Sequence, residues 1–164
     1  MSNLNSTHAN MLVYGQNIAH DRGLTNFELL EYARKLKIKG FRGVFMRDTL
    51  PSQPFTKECG IMNFNTSKQA GSHWVCYAKN EHERIYFDSY AQVTPIELQT
   101  YLKTQTEKNL KQQVIQRNTD IVQRINTHIC GHLCLFVLTS LTREQLSYQE
   151  VLDVLNDGYT RGDW

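Results

Sequence analysis

Apolar positions recur at helical spacing through Leu29, Tyr32, Ala33 and Leu36, directly after Thr25-Asn-Phe-Glu28, and Gly40 follows as a stop signal. The Thr-x-x-Glu spacing is that of a capping box, so a core-facing helix is predicted here. Phe41 to Met46 is a short apolar run, bounded by glycine and by Arg47-Asp48, with Pro51 and Pro54 beyond it. A strand leading into a turn fits that pattern. Residues 61–65, 73–78 and 84–88 are three more short runs rich in aromatic and β-branched side chains, separated by turn-forming residues, and read as an antiparallel meander.

Thr94-Pro95-Ile-Glu97 opens a second helix with an apolar stripe through Ile96, Leu98, Tyr101 and Leu102. Residues 113–123 alternate weakly around Val114, Ile115, Ile121 and Val122, as a strand does. From Cys130 the chain turns continuously apolar (Leu133, Leu135, Phe136, Val137, Leu138), which predicts a buried helix starting at the cysteine. Ser147-Tyr-Gln-Glu150 caps a last helix through Val151, Val154 and Leu155, ending near Gly158. Residues 1–24 are polar, with Gly15 and Gly23 and no sustained period, and are expected to form a loosely held arm. The order of elements predicts an α+β fold, a central mixed or antiparallel sheet flanked by helices, in a single domain over residues 1–164.

Composition narrows the function classes. A chain of 164 residues buries a core without staples, and 18 basic against 16 acidic side chains leave a net charge of +2. That surplus is compatible with a weak DNA association and far from the footprint of a dedicated nucleic-acid binder. No apolar run reaches membrane-spanning length, and the N-terminus lacks a basic region followed by an apolar core, so a soluble protein without membrane contact is expected. Four cysteines (Cys59, Cys76, Cys130, Cys134) make no disulfide framework in a chain of this size. Free thiols in a reducing compartment are the expectation.

The chemistry converges on Cys130. A thiol at a helix N-terminus sits beside unpaired N–H groups and the positive end of the helix dipole, which favour the thiolate nucleophile. Gly131 leaves space beside it, and Gln123 can return an amide donor to the same spot. A cysteine nucleophile needs a base, and the base needs an acceptor on its other nitrogen. His73 opens one predicted strand and Asp88 closes the next, so a hairpin through residues 79–83 brings them to the same end. Strand alternation puts His73, Val75 and Tyr77 on one face and Trp74 and Cys76 on the other. Taken singly, His73 is more often a satisfied histidine, Asp88 a turn cap and Cys134 a buried apolar thiol. The alternation His128, Cys130, His132, Cys134 offers zinc-ligand types, but lacks the paired knuckles of a structural site and lies half in an apolar helix; no metal or other cofactor is expected.

Together these residues resemble the adenovirus-type cysteine proteases, the adenain family, and more distantly the deSUMOylating proteases of the same fold. The matching stretches are Gly71-Ser-His73-Trp74, Phe87-Asp88-Ser89-Tyr90, Val122-Gln123 and Ile129-Cys130-Gly131-His132-Leu133-Cys134, within a likeness covering roughly residues 25 to 140. The resemblance implies a cysteine endopeptidase with His73 as base, Asp88 as its orienter and Cys130 as nucleophile. Gln123 and the Cys130 N–H would form the oxyanion hole, and Trp74 and Gly131 would contact substrate. It implies cleavage after glycine in capsid or core precursors, in the virion and the host nucleus or cytoplasm, by a monomer. A protease removing a ubiquitin-like modifier is the rival reading, and a non-catalytic relative of the fold is another.

Two departures from the family pattern matter. The family carries glutamate where this chain has Asp88, so the shorter side chain demands a closer strand approach. The family's activating peptide is disulfide-linked at a position that falls here on Gln112, and no cysteine lies between Cys76 and Cys130. Activity alone, or with a non-covalent partner, is the expectation.

Overall fold

The computed structural model describes residues 4–7, 10–103 and 114–164. The first of these do not form the loosely held arm expected from their polarity. β1 (Leu4–Thr7), β2 (Asn10–Val13) and β3 (Gln16–Ala19) pair antiparallel in sequence order. Tyr14 and Gly15, both at positive φ, make the two-residue hairpin between β2 and β3. Met11, Val13 and Ile18 are fully buried at strand alternation, so tertiary packing, rather than a long period, fixes this sheet.

Helix α1 (Asn26–Lys35) has both bonds of its capping box: Glu28 N–H donates to Thr25 Oγ1 at 3.2 Å, and Thr25 N–H donates to Glu28 Oε1 at 3.0 Å. It ends before Gly40, because Lys37 takes a positive φ and the Lys37 and Ile38 N–H groups fold back onto the carbonyls of Arg34 and Ala33.

β4 (Phe41–Phe45), β5 (Glu58–Asn63), β6 (Trp74–Lys79), β7 (Arg84–Phe87) and β8 (Ile115–Arg117) form the central sheet in that spatial order. β5, β6 and β7 are the antiparallel meander, while β4 runs parallel to β5 and β8 parallel to β7, so the sheet is mixed. The strand expected over 113–123 is shorter, and residue 113 lies outside the described residues. After Arg117 the Asn118 side chain, rather than more backbone, carries the pairing to the end of β7.

The sheet is covered on both faces. Met62, Val75, Tyr77 and Tyr86 pack with Leu98, Tyr101 and Leu102 of α2 (Ile96–Lys103). Ile61, Cys76, Ile85 and Phe87 face the larger core, built on α3 (Cys130–Thr142) with α1 and α4 (Tyr148–Arg161). Every residue of α3 from Cys130 to Ser140 is buried, which is why its sequence is apolar on every side apart from the hydrogen-bonded His132, Thr139 and Ser140. The N-terminal sheet supplies part of that cover: Tyr14 stacks on Phe136 with ring centroids 5.3 Å apart, and its hydroxyl meets Ser140 Oγ at 2.8 Å. α4 runs past Gly158, where a stop was expected, to a left-handed Gly162. Gly158 is a packing residue, because a Cβ there would lie 2.2 Å from the Trp164 ring.

Candidate active site

His73 stands immediately before β6 and Asp88 immediately after β7. The β6–β7 register pairs Cys76 with Phe87 and Tyr77 with Tyr86, so continuing it sets Asp88 opposite Val75, on the face to which alternation assigns His73. The two side chains meet there: His73 Nε2 lies 2.7 Å from Asp88 Oδ1, with the carboxylate fully buried. Aspartate is therefore long enough to span the gap between the ends of the two strands. Its oxygens also accept the Tyr90 N–H at 2.8 Å (Oδ1) and the Gln92 N–H at 3.3 Å (Oδ2), which fixes its orientation. The Asp88 peptide is clamped in turn by one amide side chain: Asp88 N–H donates to Asn118 Oδ1 at 3.0 Å, and Asn118 Nδ2–H donates to Asp88 O at 2.6 Å.

With Nε2 committed to Asp88, Nδ1 is the nitrogen left for Cys130, which lines the same cleft. Burial pushes the His73 pKa down, but the hydrogen bonds and charges of Asp88 and Cys130 outweigh it and raise it to about 9. The imidazolium is thus the favoured form at neutral pH. Tyr90 stacks on the ring, centroids 5.0 Å apart, and holds its plane.

Cys130 is the first residue of α3, whose N-cap Ile129 offers no side-chain acceptor to the first helical N–H groups. Its Sγ accepts the Trp74 N–H at 3.5 Å. Gln123 is oriented by two bonds: Ser89 Oγ–H donates to its Oε1 at 2.6 Å, and its Nε2–H donates to Thr127 O at 3.1 Å. The second Nε2–H is left over. Gln123, Cys130, His73 and Trp74 line one cleft of about 810 Å³, with Phe45 and Tyr90 among its other walls. A thiol at a helix N-terminus, a fixed imidazole and an amide side chain lining one cleft are parts that acyl transfer can use.

The remaining sequence candidates are placed differently. Trp74 lines the cleft, and its indole N–H donates to Leu24 O at 2.8 Å, so it also holds the 23–25 segment as a wall. Gly131 does not line the cleft. It is buried below, where a Cβ would come within 3.2 Å of Leu29 and 3.4 Å of Leu24 and Trp74, a packing constraint instead of a substrate contact. The alternating histidines and cysteines disperse: His128 is exposed at the cleft, His132 Nε2 meets Ala19 O at 2.8 Å, and Cys134 Sγ donates to Trp74 O. Among the described residues no three His, Cys, Asp or Glu side chains gather into a metal-binding cluster, and no helix is long and apolar enough to cross a membrane. The four cysteines are free thiols. Sequence reasoning missed Ser89, Tyr90 and Asn118; the first two sit in a motif it had singled out, whereas nothing local marks Asn118.

No protein-family model matches the sequence, and no curated protein matches it. Among solved structures, the chain is similar to the ASFV pS273R protease, with a TM-score of 0.53 over 85% of this chain at 15% sequence identity. It spans 66% of that protein's length. At this identity the likeness is one of fold: an α+β architecture with, among the described residues, a five-stranded mixed sheet and four helices, shared with a protease.

Proposed function

We propose that this chain is a cysteine endopeptidase, processing capsid or core precursors of a virus or virus-like element after glycine. The observation that carries the reading is His73, held through Nε2 by buried Asp88 in the same cleft as Cys130 at a helix N-terminus. The fold shared with a protease supports it. Glycine at the cleaved residue rests on the adenain resemblance.

In this mechanism the Cys130 sulfur, facing the His73 imidazolium, attacks the scissile carbonyl. The oxyanion takes the free Nε2–H of Gln123 and the Cys130 N–H, donors fixed before charge develops. His73 then passes its proton to the leaving amine and, as the neutral base, draws a proton from the water that releases the acyl group. Asp88 keeps the ring in one tautomer throughout.

The position corresponding to the family's peptide-linking cysteine, Gln112, lies outside the described residues and is not a cysteine. We therefore propose activity without a covalent activator. Purified protein, incubated under reducing conditions with a library of glycine-containing peptides, should cleave after glycine and be blocked by alkylation of Cys130. Absence of cleavage together with an inert Cys130 would overturn the reading. Cleavage confined to the diglycine tail of a ubiquitin-like modifier would overturn the proposed substrate class.

A further inference from the structure

Asp88 and Ser89 are neighbours in the chain, yet their side chains reach two different residues of the cleft. Asp88 reaches His73, and Ser89 Oγ–H reaches Gln123 Oε1 at 2.6 Å. Ser89 is itself 1% exposed, and its carbonyl accepts the Val122 N–H at 2.9 Å, so the 88–89 turn and the 122–123 segment are joined by both backbone and side chain. An amide has two orientations that differ only in which end faces the reacting centre, and one presents a donor where the other presents a repelling oxygen. Ser89 ties down the oxygen end, and Thr127 O takes one proton of the nitrogen end.

We infer that Ser89 is a positioning residue for the oxyanion hole, holding the Gln123 amide so that its free N–H faces the developing oxyanion. The inference rests on the proposed hydrolase reading. Without the hydroxyl, Gln123 Oε1 becomes a buried acceptor with no partner, and the amide regains freedom to turn. Its effect belongs to tetrahedral species alone. Asp88, His73 and Cys130 keep every bond they have.

The test is Ser89→Ala, measured three ways. Loss of one oxyanion donor costs about 10²–10³-fold in turnover, so a misoriented donor should lower kcat by about tenfold or more with KM little changed. A peptide aldehyde, which binds as a tetrahedral adduct, should weaken by a similar factor, whereas alkylation of Cys130 by iodoacetamide, which forms no oxyanion, should keep its wild-type rate. In a Gln123→Ala background, Ser89→Ala should have no further effect. An unchanged kcat, a parallel fall in alkylation, or additive losses in the double variant would each overturn the inference. A wild-type chain that cleaves nothing would sink the hydrolase reading, and this one with it; a cleaving wild type with an indifferent Ser89→Ala variant would sink this one alone.

Discussion

His73 Nε2 and Asp88 Oδ1 lie 2.7 Å apart in a site where the carboxylate has no exposure to water. The pairing favours the protonated ring, and the His73 pKa is raised to about 9 against burial, which alone would lower it. Activity that needs the imidazolium should therefore hold through neutral pH and fall as pH rises through about 9. Asp88→Asn removes the charge that raises this pKa, so the alkaline limb of kcat/KM should move to lower pH, with a loss at neutrality of about 10²–10⁴-fold. A profile whose alkaline limb stays in place would separate Asp88 from the titration.

The four cysteines make distinct predictions because only Cys130 lines the cleft. Burial pushes the Cys59 and Cys134 thiols well up, which disfavours their reactive thiolates. Cys130→Ala should abolish cleavage and remove labelling by a thiol probe. Cys134→Ala, in a site with no exposure, should lower the unfolding midpoint while leaving Cys130 reactive. Mass spectrometry of the labelled protein decides it: modification at Cys76 or Cys134 with Cys130 untouched would reassign the nucleophile.

The boundaries of the fold that were legible in the sequence are those set by local chemistry. Thr25 with Glu28, and Ser147 with Glu150, each satisfy backbone N–H groups within four residues, so the spacing alone announces both helices. The convergence of His73 and Asp88 could also be read, since one hairpin and the period of a strand determine it. What escaped depends on contacts across long stretches of chain. Asn118 and Ser89 act on partners 30 and 34 residues away, and no spacing rule marks such pairs. The N-terminal sheet escaped because its strands are four residues long, too short for a period, and their burial comes from α3. Gly158 read as a stop because a glycine needed for packing looks, in sequence, like one needed for a turn.

That packing reaches the site through Trp164. Its ring occupies the space above Gly158, and its indole N–H donates to Val122 O at 2.7 Å, one residue before Gln123. Arg124, just beyond, donates to Tyr159 O at 2.8 Å and lies over the Tyr159 ring. α4 and Trp164 thus hold the segment that carries Gln123, the proposed oxyanion donor. Gly158→Ala should displace Trp164, shift its fluorescence to longer wavelength and lower kcat, although the substitution itself favours a helix. Higher stability with unchanged turnover would mean the Trp164 contact is dispensable.

His132 carries the opposite titration to His73. Its Nε2–H is spent on Ala19 O, which joins α3 to the N-terminal sheet, while Nδ1 is buried with no hydrogen-bond partner. Burial dominates, with the Ala19 bond opposing it only in part, and the pKa is lowered to about 4. The folded protein therefore keeps this ring neutral while the unfolded chain takes up a proton below its ordinary value of 6.5. Unfolded chains bind more protons across that window, so stability is full above 6.5, falls as pH drops towards 4, and at pH 5 is lower by about 2 kcal/mol from this group. His73, raised instead, contributes stability that is intact below 6.5 and is lost only as pH rises through about 9, so the two do not overlap. Urea unfolding of wild type and His132→Gln between pH 4 and 7 isolates the effect. Glutamine can still donate to Ala19 O but cannot take the proton, so its variant should lose less stability on acidification. Equal acid slopes in the two proteins would mean that His132 is not the group whose burial opposes protonation.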